Sequence, residues 1–351
     1  MKRFLYPAIL LCMIVPLFSC LSDSNGNNGR TLDEDSAPTG RLVIYTSIYP
    51  DVIEQLDWAL RRQFPRAHID FVYGGTGEIQ ARIAAEHAKG KLGADILLVA
   101  DPSYSLELKY KRMLHSFTSR SAAALAFDFD EEGYWYPVRI SNMVLAFNPR
   151  LHSRSSLPNS FYDFAHSPNV SGAISMSNPL TSGTTKAAVT ALRDRYGYEY
   201  FEALGRQNVS IQSGSVALDK LKTGEFKMIM VLEESVLQRH RQELSDIEII
   251  YPTDGTIIIP STVMIVANRL SANNNTRSAE QVVDWFLGPD GQNAIVDGWM
   301  HSVRRNFRSV PSGSVPISRL ETNSMPFNWE NSFRYRNEIL ARFEQLVLYR
   351  Q

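Results

Sequence analysis

The stretch AHIDFVYGGTGEIQARIAAEHAKG, Ala67–Gly90, decides the fold because a strand, a glycine-rich turn and a helix follow one another in it. Two adjacent glycines let the backbone approach another group closely or adopt positive φ. Thr76 can cap the helix, and the carboxylate of Glu78 suits the positive end of the helix dipole. The turn is either a plain strand-to-helix connection, or the N–H groups of Gly77 and Glu78 face a ligand that carries negative charge or lone pairs.

The same succession of strand and helix is found on both sides of this stretch. Residues 41–47, RLVIYTS, predict a buried strand, and residues 50–64 predict a helix. That helix presents four apolar side chains on one face: Val52, Leu56, Leu60 and Phe64. Residues 94–100 predict a third strand, and residues 101–114 a helix behind it. This order predicts an open sheet with helices on both faces and a ligand crevice beyond the carboxyl ends of the strands.

A second α/β unit follows residues 134–150. Its predicted strands are residues 172–178, 207–212 and 226–235, and its predicted helices are residues 181–197 and 213–224. Residues 247–255 and 256–268 then predict strands that return toward the first unit, and residues 278–295 predict an amphipathic helix. The C-terminal segment carries apolar side chains at helical spacing, which predicts packing on the core. These are Ile339, Phe343, Leu346 and Val347. The fold class is therefore α/β, with two units.

The N-terminus has the features of an export signal. A short basic start, MKRF, precedes an apolar run over residues 5–18 that is too short to span a membrane as a stable helix. The run ends in LFSC, which resembles the lipobox of bacterial lipoproteins and implies that Cys20 is lipidated and becomes the mature N-terminus. An uncleaved anchor and an ordinary signal peptidase site are the competing interpretations. Residues 21–40 are polar and predict a disordered tether that reaches at most roughly 70 Å.

Composition excludes several function classes. The net charge of the 351 residues is −1, so no global charge favours nucleic acid or an anionic membrane surface, and we expect no nucleic-acid partner. The 7 histidines and 2 cysteines show no zinc-binding spacing. The elbow, phosphate-loop and dinucleotide motifs of common enzymes are not found, and Lys186 after TSGTT resembles a phosphate loop only in part. The sequence therefore predicts neither a resident cofactor nor catalysis.

Four predicted strand ends carry glycine or small hydroxyl residues, at residues 45–47, 74–78, 178–185 and 212–215. Each helix start offers unpaired N–H donors that suit a phosphate, carboxylate or phosphonate, although each turn can also be a plain N-cap. The candidate ligand-binding residues at these ends are Ser47, Thr76, Gly77, Glu78, Ser182, Gly183, Thr184 and Thr185.

Three carboxylates complete the candidate site. Glu233 and Glu234 follow an apolar run that predicts a strand, on which they would point to opposite faces and form no obvious acid/base pair. Asp254 lies in the turn YPTDGT. Each of the three either reaches the cleft, where it accepts hydrogen bonds or neutralises a cation, or belongs to a surface salt bridge or a simple turn.

Several motifs in this order resemble the solute-binding proteins of bacterial ABC importers, in the group that includes ferric-iron, hexose-phosphate and phosphonate binders. They are VIYTSIYPDVIEQL, YGGTGEIQARI, GADILLVAD, SNPLTSGTTKAAV, IYPTDGTIIIPS and VVDWFLGPDGQ, within residues 41–300. The resemblance implies a two-lobed type II periplasmic-binding fold with mixed sheets flanked by helices. Hinge crossovers would lie near Ala146–Asn148 and Thr256–Pro260. Lobe one would then comprise residues 41–146 and 258–351, and lobe two residues 147–257.

The resemblance also implies the function. A small ligand, with an anionic or phosphorylated solute as the first expectation, would be captured between the lobes of a monomer and passed to an ABC permease, and the lipid anchor would hold the protein at the periplasm or cell surface. Iron-binding members carry a tyrosine pair after the strand where this chain has MVLEES, and none occurs here. Glu233, Glu234 and Asp254 offer hard oxygen atoms for a different kind of metal site. A sensor module and a hydrolase that reuses the fold are competing hypotheses for the function.

The lipidation of Cys20 can be tested directly. Cys20→Ser is expected to release the protein into the soluble fraction or to leave an uncleaved precursor, because serine cannot form the thioether that carries the lipid. Membrane fractionation and the intact mass of the product measure both outcomes. Unchanged membrane attachment together with normal cleavage would contradict lipidation at this residue.

Overall fold

The computed structural model describes residues 37–243, 246–326 and 328–349. The signal segment with Cys12 and Cys20, and the tether apart from residues 37–40, lie outside these ranges. Ala37 to the C-terminus form one compact unit. The strands of this unit are β1 Gly40–Thr46, β2 Ala67–Tyr73, β3 Ile96–Val99, β4 Leu114–His115, β5 Tyr136–Phe147, β6 Ile174–Met176, β7 Ser210–Ile211, β8 Met228–Leu232, β9 Glu248–Ile250 and β10 Ile257–Val266.

Helices flank these strands along the chain. The α-helices are α1 Pro50–Gln63, α2 Thr76–Ala88, α3 Pro102–Tyr110, α4 Phe161–His166, α5 Gly183–Tyr196, α6 Glu199–Arg206, α7 Gly214–Thr223, α8 Glu233–Glu243, α9 Thr276–Leu287, α10 Pro289–Asp297, α11 Ile317–Thr322 and α12 Trp329–Phe343. A π-helical turn, Glu344–Leu348, continues α12. None of the helices in the described ranges combines the length and the apolar character needed to cross a membrane.

The strands form one mixed sheet in the order β2-β1-β3-β10-β5-β8-β6-β7, with β4 beside β10 and β9 beside β5. On one side β1 pairs in parallel with β2 and β3, and on the other side β6 pairs in parallel with β7 and β8. The long strands β5 and β10 run antiparallel to each other between these halves. The α/β prediction and the mixed sheet flanked by helices are therefore confirmed, and the two parallel halves are joined through β5 and β10.

The predicted apolar faces are buried. Val52, Leu56 and Leu60 of α1 and the adjacent Phe64 pack into the core cluster of the β1–β3 half together with α9 and α10. The apolar side chains of the C-terminal segment pack into the cluster of the β6–β8 half, as the helical spacing predicted: Ile339, Phe343, Leu346 and Val347. The C-terminal helix α12 therefore contacts both halves: its apolar side chains lie in the core that holds α5 and α6, and its Arg336 pairs with Glu107 of α3. The lobe boundaries remain a prediction.

Two predicted elements differ from the structure. The helix over residues 278–295 is two helices, α9 and α10, because the chain is extended at Gly288 and Pro289 has no N–H to continue the hydrogen-bond ladder. The strand over residues 226–235 ends at Leu232, and Glu233 and Glu234 form the first turn of α8. Acidic side chains are favoured in a first helical turn because they face the positive end of the helix dipole.

A buried glutamine, Gln292 of α10, connects three segments of the core and is fully inaccessible to solvent. Its amide nitrogen donates to the carbonyls of Val138 and Phe286, each at 2.8 Å. Its amide oxygen accepts from the hydroxyl of Ser302 at 2.7 Å and from the N–H of Val303 at 2.8 Å. Gln292→Leu is expected to lower the free energy of unfolding by about 3 kcal/mol or more, because four polar groups of the core each lose a hydrogen bond.

Urea unfolding of the two proteins measures this difference. The matched control is Gln63→Leu, because Gln63 is exposed at the end of α1 and its replacement should change stability by no more than about 0.5 kcal/mol. Similar losses in the two variants would show that the hydrogen bonds of Gln292 do not carry the effect.

Candidate functional site

A cavity of about 560 Å³ lies beyond the carboxyl ends of six strands, three from each half of the sheet. This is the position that the alternation of strands and helices predicts for a ligand crevice. The volume is within the usual range for sites that bind small molecules. The residues that line it are Ser47, Tyr49, Tyr73, Gly75, Thr76, Glu78, Ala100, Arg139, Ser177, Asn178, Thr181, Ser182, Gly183, Thr184, Ile211, Gln212, Ser213, Gly214, Leu232 and Glu234.

Three helices begin at this cavity: α2 from the β1–β3 half, and α5 and α7 from the β6–β8 half. The hydroxyl of Ser182 accepts the N–H of Thr185 at 3.2 Å, and the hydroxyl of Ser213 accepts that of Val216 at 3.4 Å. These caps are the reason the polar turns end and the helices start here. The three N-termini bring partial positive charge to one cavity.

The glycine turns of α2 and α5 contact each other directly. The N–H of Gly77 donates to the carbonyl of Thr181 at 3.0 Å. A side chain at Gly183 would lie 2.8 Å from the hydroxyl of Thr76 and 2.7 Å from the carbonyl of Ala100, so only glycine allows this approach. The prediction that the N–H of Gly77 faces a ligand is wrong, because Thr181 accepts it.

The remaining predicted hydroxyl and glycine residues fall into two groups. Residues that line the cavity are Ser47, Thr76, Glu78, Ser182, Gly183 and Thr184. The carboxylate of Glu78 accepts the N–H of Gly75 at 2.9 Å, so it satisfies the backbone donor of the N-cap residue of α2. The hydroxyl of Thr185 contacts the hydroxyl of Ser182 at 2.9 Å, and Thr185 lies outside the lining.

Asp254 lies away from the cavity and has a capping role instead. Its carboxylate accepts the N–H groups of Phe161 at 3.0 Å and Tyr162 at 2.9 Å, and the hydroxyl of Tyr196 at 2.5 Å. The first two donors are unpaired backbone groups at the start of α4. The prediction that Asp254 contacts the ligand is therefore wrong, because the turn that carries it folds onto this helix.

Arg139 of β5 is the main lining residue that the sequence did not predict. Its side chain is 3% exposed, and its Nη1 lies 3.4 Å from a carboxylate oxygen of Glu234 and 2.7 Å from the sulfur of Met300. Its Nε has no hydrogen-bond partner within the described part of the chain. Burial lowers the pKa of Arg139, and the charge of Glu234 opposes this shift. A single arginine in the apolar run YPVRISNMVLAF was the only sequence signal.

The side chains of Glu233 and Glu234 lie in different environments, although the two residues are adjacent in sequence. Glu234 lines the cavity and accepts the hydroxyl of Ser141 at 2.8 Å, and burial raises its pKa. Glu233 is 1% exposed and points away from the cavity, toward the side chains of His301 and Tyr251. The two carboxylates therefore point in different directions, but they diverge from the start of a helix and not from the predicted strand. Only Glu234 belongs to the candidate site.

Comparison with known proteins identifies the family. Residues 93–313, more than half of the chain, match the model of a family described as bacterial extracellular solute-binding protein. The chain belongs to this family. Its members bind small ligands for ABC-transporter permeases and are not enzymes. The family implies a location outside the cytoplasm. A comparison with curated proteins found no match.

Solved structures of periplasmic binding proteins share the fold at low sequence identity. AfuA from Actinobacillus pleuropneumoniae, with fructose-6-phosphate bound, is 20% identical with a TM-score of 0.76, and iron-bound HitA from Pseudomonas aeruginosa is 19% identical with a TM-score of 0.75. Each likeness covers 88% of this chain and 99% of the matched chain. A periplasmic thiamin binding protein is 16% identical with a TM-score of 0.73, over 89% and 99%. The type II periplasmic-binding fold is thus confirmed.

In this solute-binding protein, hydrogen bonds of Glu233 connect the segment after α10 to the start of α8. His301 lies 3.0 Å from one carboxylate oxygen of Glu233, and the hydroxyls of Tyr251 and Ser314 donate to the second oxygen at 2.5 Å. Burial alone would raise the pKa of Glu233, but these partners, with His301 first, outweigh burial and lower it. The ionised carboxylate is therefore the stabilised form.

Glu233→Gln is expected to lower the free energy of unfolding of the solute-binding protein by about 2 kcal/mol near neutral pH. Because the folded pKa lies below the ordinary 4.5, the contribution of Glu233 is complete above 4.5 and is lost as pH falls through the folded pKa. The stability difference between the two proteins should therefore shrink below that pH. Urea unfolding at a series of pH values measures it, with the exposed Glu54→Gln as control. A difference independent of pH would contradict this role.

Proposed function

We propose that the protein captures a small solute with a phosphate-like or carboxylate group in the cavity between the two halves and delivers it to an ABC importer. The observation that carries this proposal is the position of Arg139, a buried guanidinium with an Nε that has no partner among the described residues, at a cavity where three helices begin. A buried arginine needs compensating anions, and helix N-termini favour negative charge. Both features therefore favour an anionic ligand.

The lining also suits the rest of such a solute. Hydroxyls of Ser47, Thr76 and Thr184 can donate to further oxygen atoms of the anion. The rings of Tyr49 and the half-exposed Tyr73 can pack against the carbon skeleton of the solute. A cavity of about 560 Å³ holds more than a bare oxyanion, so we expect an organic phosphate, phosphonate or carboxylate. The bound fructose-6-phosphate of AfuA is consistent with this class.

The contacts between the halves support a closing mechanism. Gly77 donates to Thr181 across the cavity, and Tyr49 contacts the hydroxyl of Ser235 at 3.2 Å. A solute that touches both halves stabilises the closed arrangement relative to the open one, and binding then shifts the equilibrium. We propose that this closure is the signal that the permease recognises.

A ferric or other metal ion is the second candidate ligand, favoured by one observation. Tyr49 and Tyr73 line the cavity together with Glu78 and Glu234, and all four carry hard oxygen atoms. The charge of Arg139 in the same cavity opposes a cation, and the described residues include no cluster of three or more His, Cys, Asp or Glu side chains suited to a metal. The anion is therefore the better-supported ligand.

We further propose that Cys20 anchors the protein to a bacterial membrane by a lipid, that residues 21–40 act as the tether, and that the protein works as a monomer. A sensor module that passes its closure to a membrane receptor is the alternative to transport. Genes for a permease and an ATPase beside the gene for this protein would favour transport, and their absence would favour the sensor.

Removal of single donors tests the anion site. Native mass spectrometry first identifies the solute retained on purification, and calorimetric titration then measures its affinity for variants. Thr76→Ala and Thr184→Ala are each expected to weaken binding about tenfold or more, because a charge-assisted hydrogen bond in an enclosed site contributes about 1.5–3 kcal/mol. Arg139→Lys, which keeps the charge and loses the planar fork, should weaken binding at least as much.

The matched control is Thr223→Ala. Thr223 is the last residue of α7, at the end of the helix that is remote from the cavity, and its hydroxyl donates to the carbonyl of Lys220. This variant should bind normally. If Thr76→Ala and Thr184→Ala melt earlier than the natural protein yet bind normally, the two hydroxyls stabilise only the turns and the anion site is wrong. A retained ferric ion would favour the second candidate.

A further inference from the structure

We infer that Lys186 and Asp101 are positioning residues that hold the turns of α2 and α5 together over the cavity without touching the solute. The geometry of the pair comes from the structure, whereas its expected effect on ligand affinity rests on the proposed function. Lys186 is the residue whose place after TSGTT resembled a phosphate loop. Neither residue lines the cavity. The ammonium of Lys186 therefore binds a carboxylate of the opposite half of the protein and not the ligand.

The carboxylate of Asp101 is the meeting point of three helices. It lies after β3 at the start of α3 and is 3% exposed. One oxygen accepts the ammonium of Lys186 from α5 at 3.0 Å and the amide of Gln80 from α2 at 3.1 Å. The second oxygen accepts the hydroxyl of Ser103 from α3 at 2.5 Å. Asp101 thereby ties α2 and α5 together directly behind the turns that approach the cavity.

The ion pair connects the β1–β3 half to the β6–β8 half, as the contact between the two turns also does. Gln80 and Asp101 belong to the β1–β3 half, whereas Lys186 lies within α5, which packs in the core of the β6–β8 half. Opening of the cavity separates Lys186 from Asp101 and lets water reach both. Closing therefore requires this pair to form along with the hydrogen bond from Gly77 to Thr181.

The pair is sensitive to the loss of one partner. Lys186 is 6% exposed, so both charges are removed from water when the halves meet. Burial tends to raise the pKa of Asp101, but the charge of Lys186 and the hydrogen bonds from Ser103 and Gln80 outweigh it and lower the pKa. Loss of only one buried charge is strongly unfavourable, whereas replacement of both is often close to neutral. Lys186→Met should thus disfavour closure, and Asp101→Asn in the same chain should largely restore it.

Amide hydrogen exchange of the ligand-free full-length protein tests this directly, because the N–H of Gly77 is protected only while it donates to Thr181. Lys186→Met is expected to speed exchange at Gly77 about tenfold or more. In the double variant Asp101→Asn/Lys186→Met, and in the single variant Lys186→Arg, the N–H of Gly77 should exchange within about threefold of the natural rate.

A second amide separates closure from general stability. The N–H of Val43 donates to the carboxylate of Asp95 at 2.8 Å inside the β1–β3 half, so its exchange reports unfolding and not opening. It should stay unchanged in every variant. The matched control is Lys227→Met, whose lysine donates to the carbonyl of Asn169 at the surface. Natural exchange at Gly77 in Lys186→Met, or equal acceleration at Gly77 and Val43, would overturn the positioning role.

Calorimetric titration with inorganic phosphate connects the pair to the proposed function. Phosphate affinity should fall about tenfold or more in Lys186→Met and recover in the double variant. An affinity in Lys186→Met equal to that of the natural protein would overturn the effect of the pair on binding. If the natural protein binds no phosphate, that result counts against the anion site, and exchange at Gly77 still decides whether the ion pair acts.

Discussion

The antiparallel pairing of β5 with β10 is the constraint on which the rest of the structure depends. Every residue of β5 is buried, and its partners on the opposite side are β8 and β9, so the strand connects the parallel halves of the sheet. The register shifts between Ser261 and Thr262, opposite Arg139 and Pro137. An irregularity of this kind redirects side chains at a sheet. Arg139 sits at this irregularity and lines the cavity.

The position of the cavity follows from the two parallel halves that this pairing joins. Parallel strands end at the same edge, and the helix after each strand begins there with unpaired N–H groups. Ser47, Tyr73 and Ala100 lie at strand ends of one half, and Ser177 and Leu232 lie at strand ends of the second half. One cavity can therefore receive donors from both halves, which a single α/β unit could not provide.

Local patterns were sufficient to predict the sheet, the apolar face of α1 and the helix starts at the cavity, because periodic burial and capping involve neighbours in sequence. Contacts between distant residues were not predictable in this way. Arg139 meets Glu234 and Met300, which are far along the chain, and Asp254 caps a helix that precedes it by many residues. The roles of these side chains are set by tertiary packing, for which the local sequence has no signal.

The charge balance of the cavity is compatible with the anionic solute that we propose, although Glu234 places a carboxylate there. Glu234 compensates Arg139 only through one nitrogen, across 3.4 Å, and the Nε of Arg139 keeps no partner among the described residues. An incoming anion adds negative charge, and the N-termini of α2, α5 and α7 each contribute partial positive charge on the order of half an elementary charge. In the proposed complex, Arg139 is therefore compensated by Glu234 on one side and by the solute on the other.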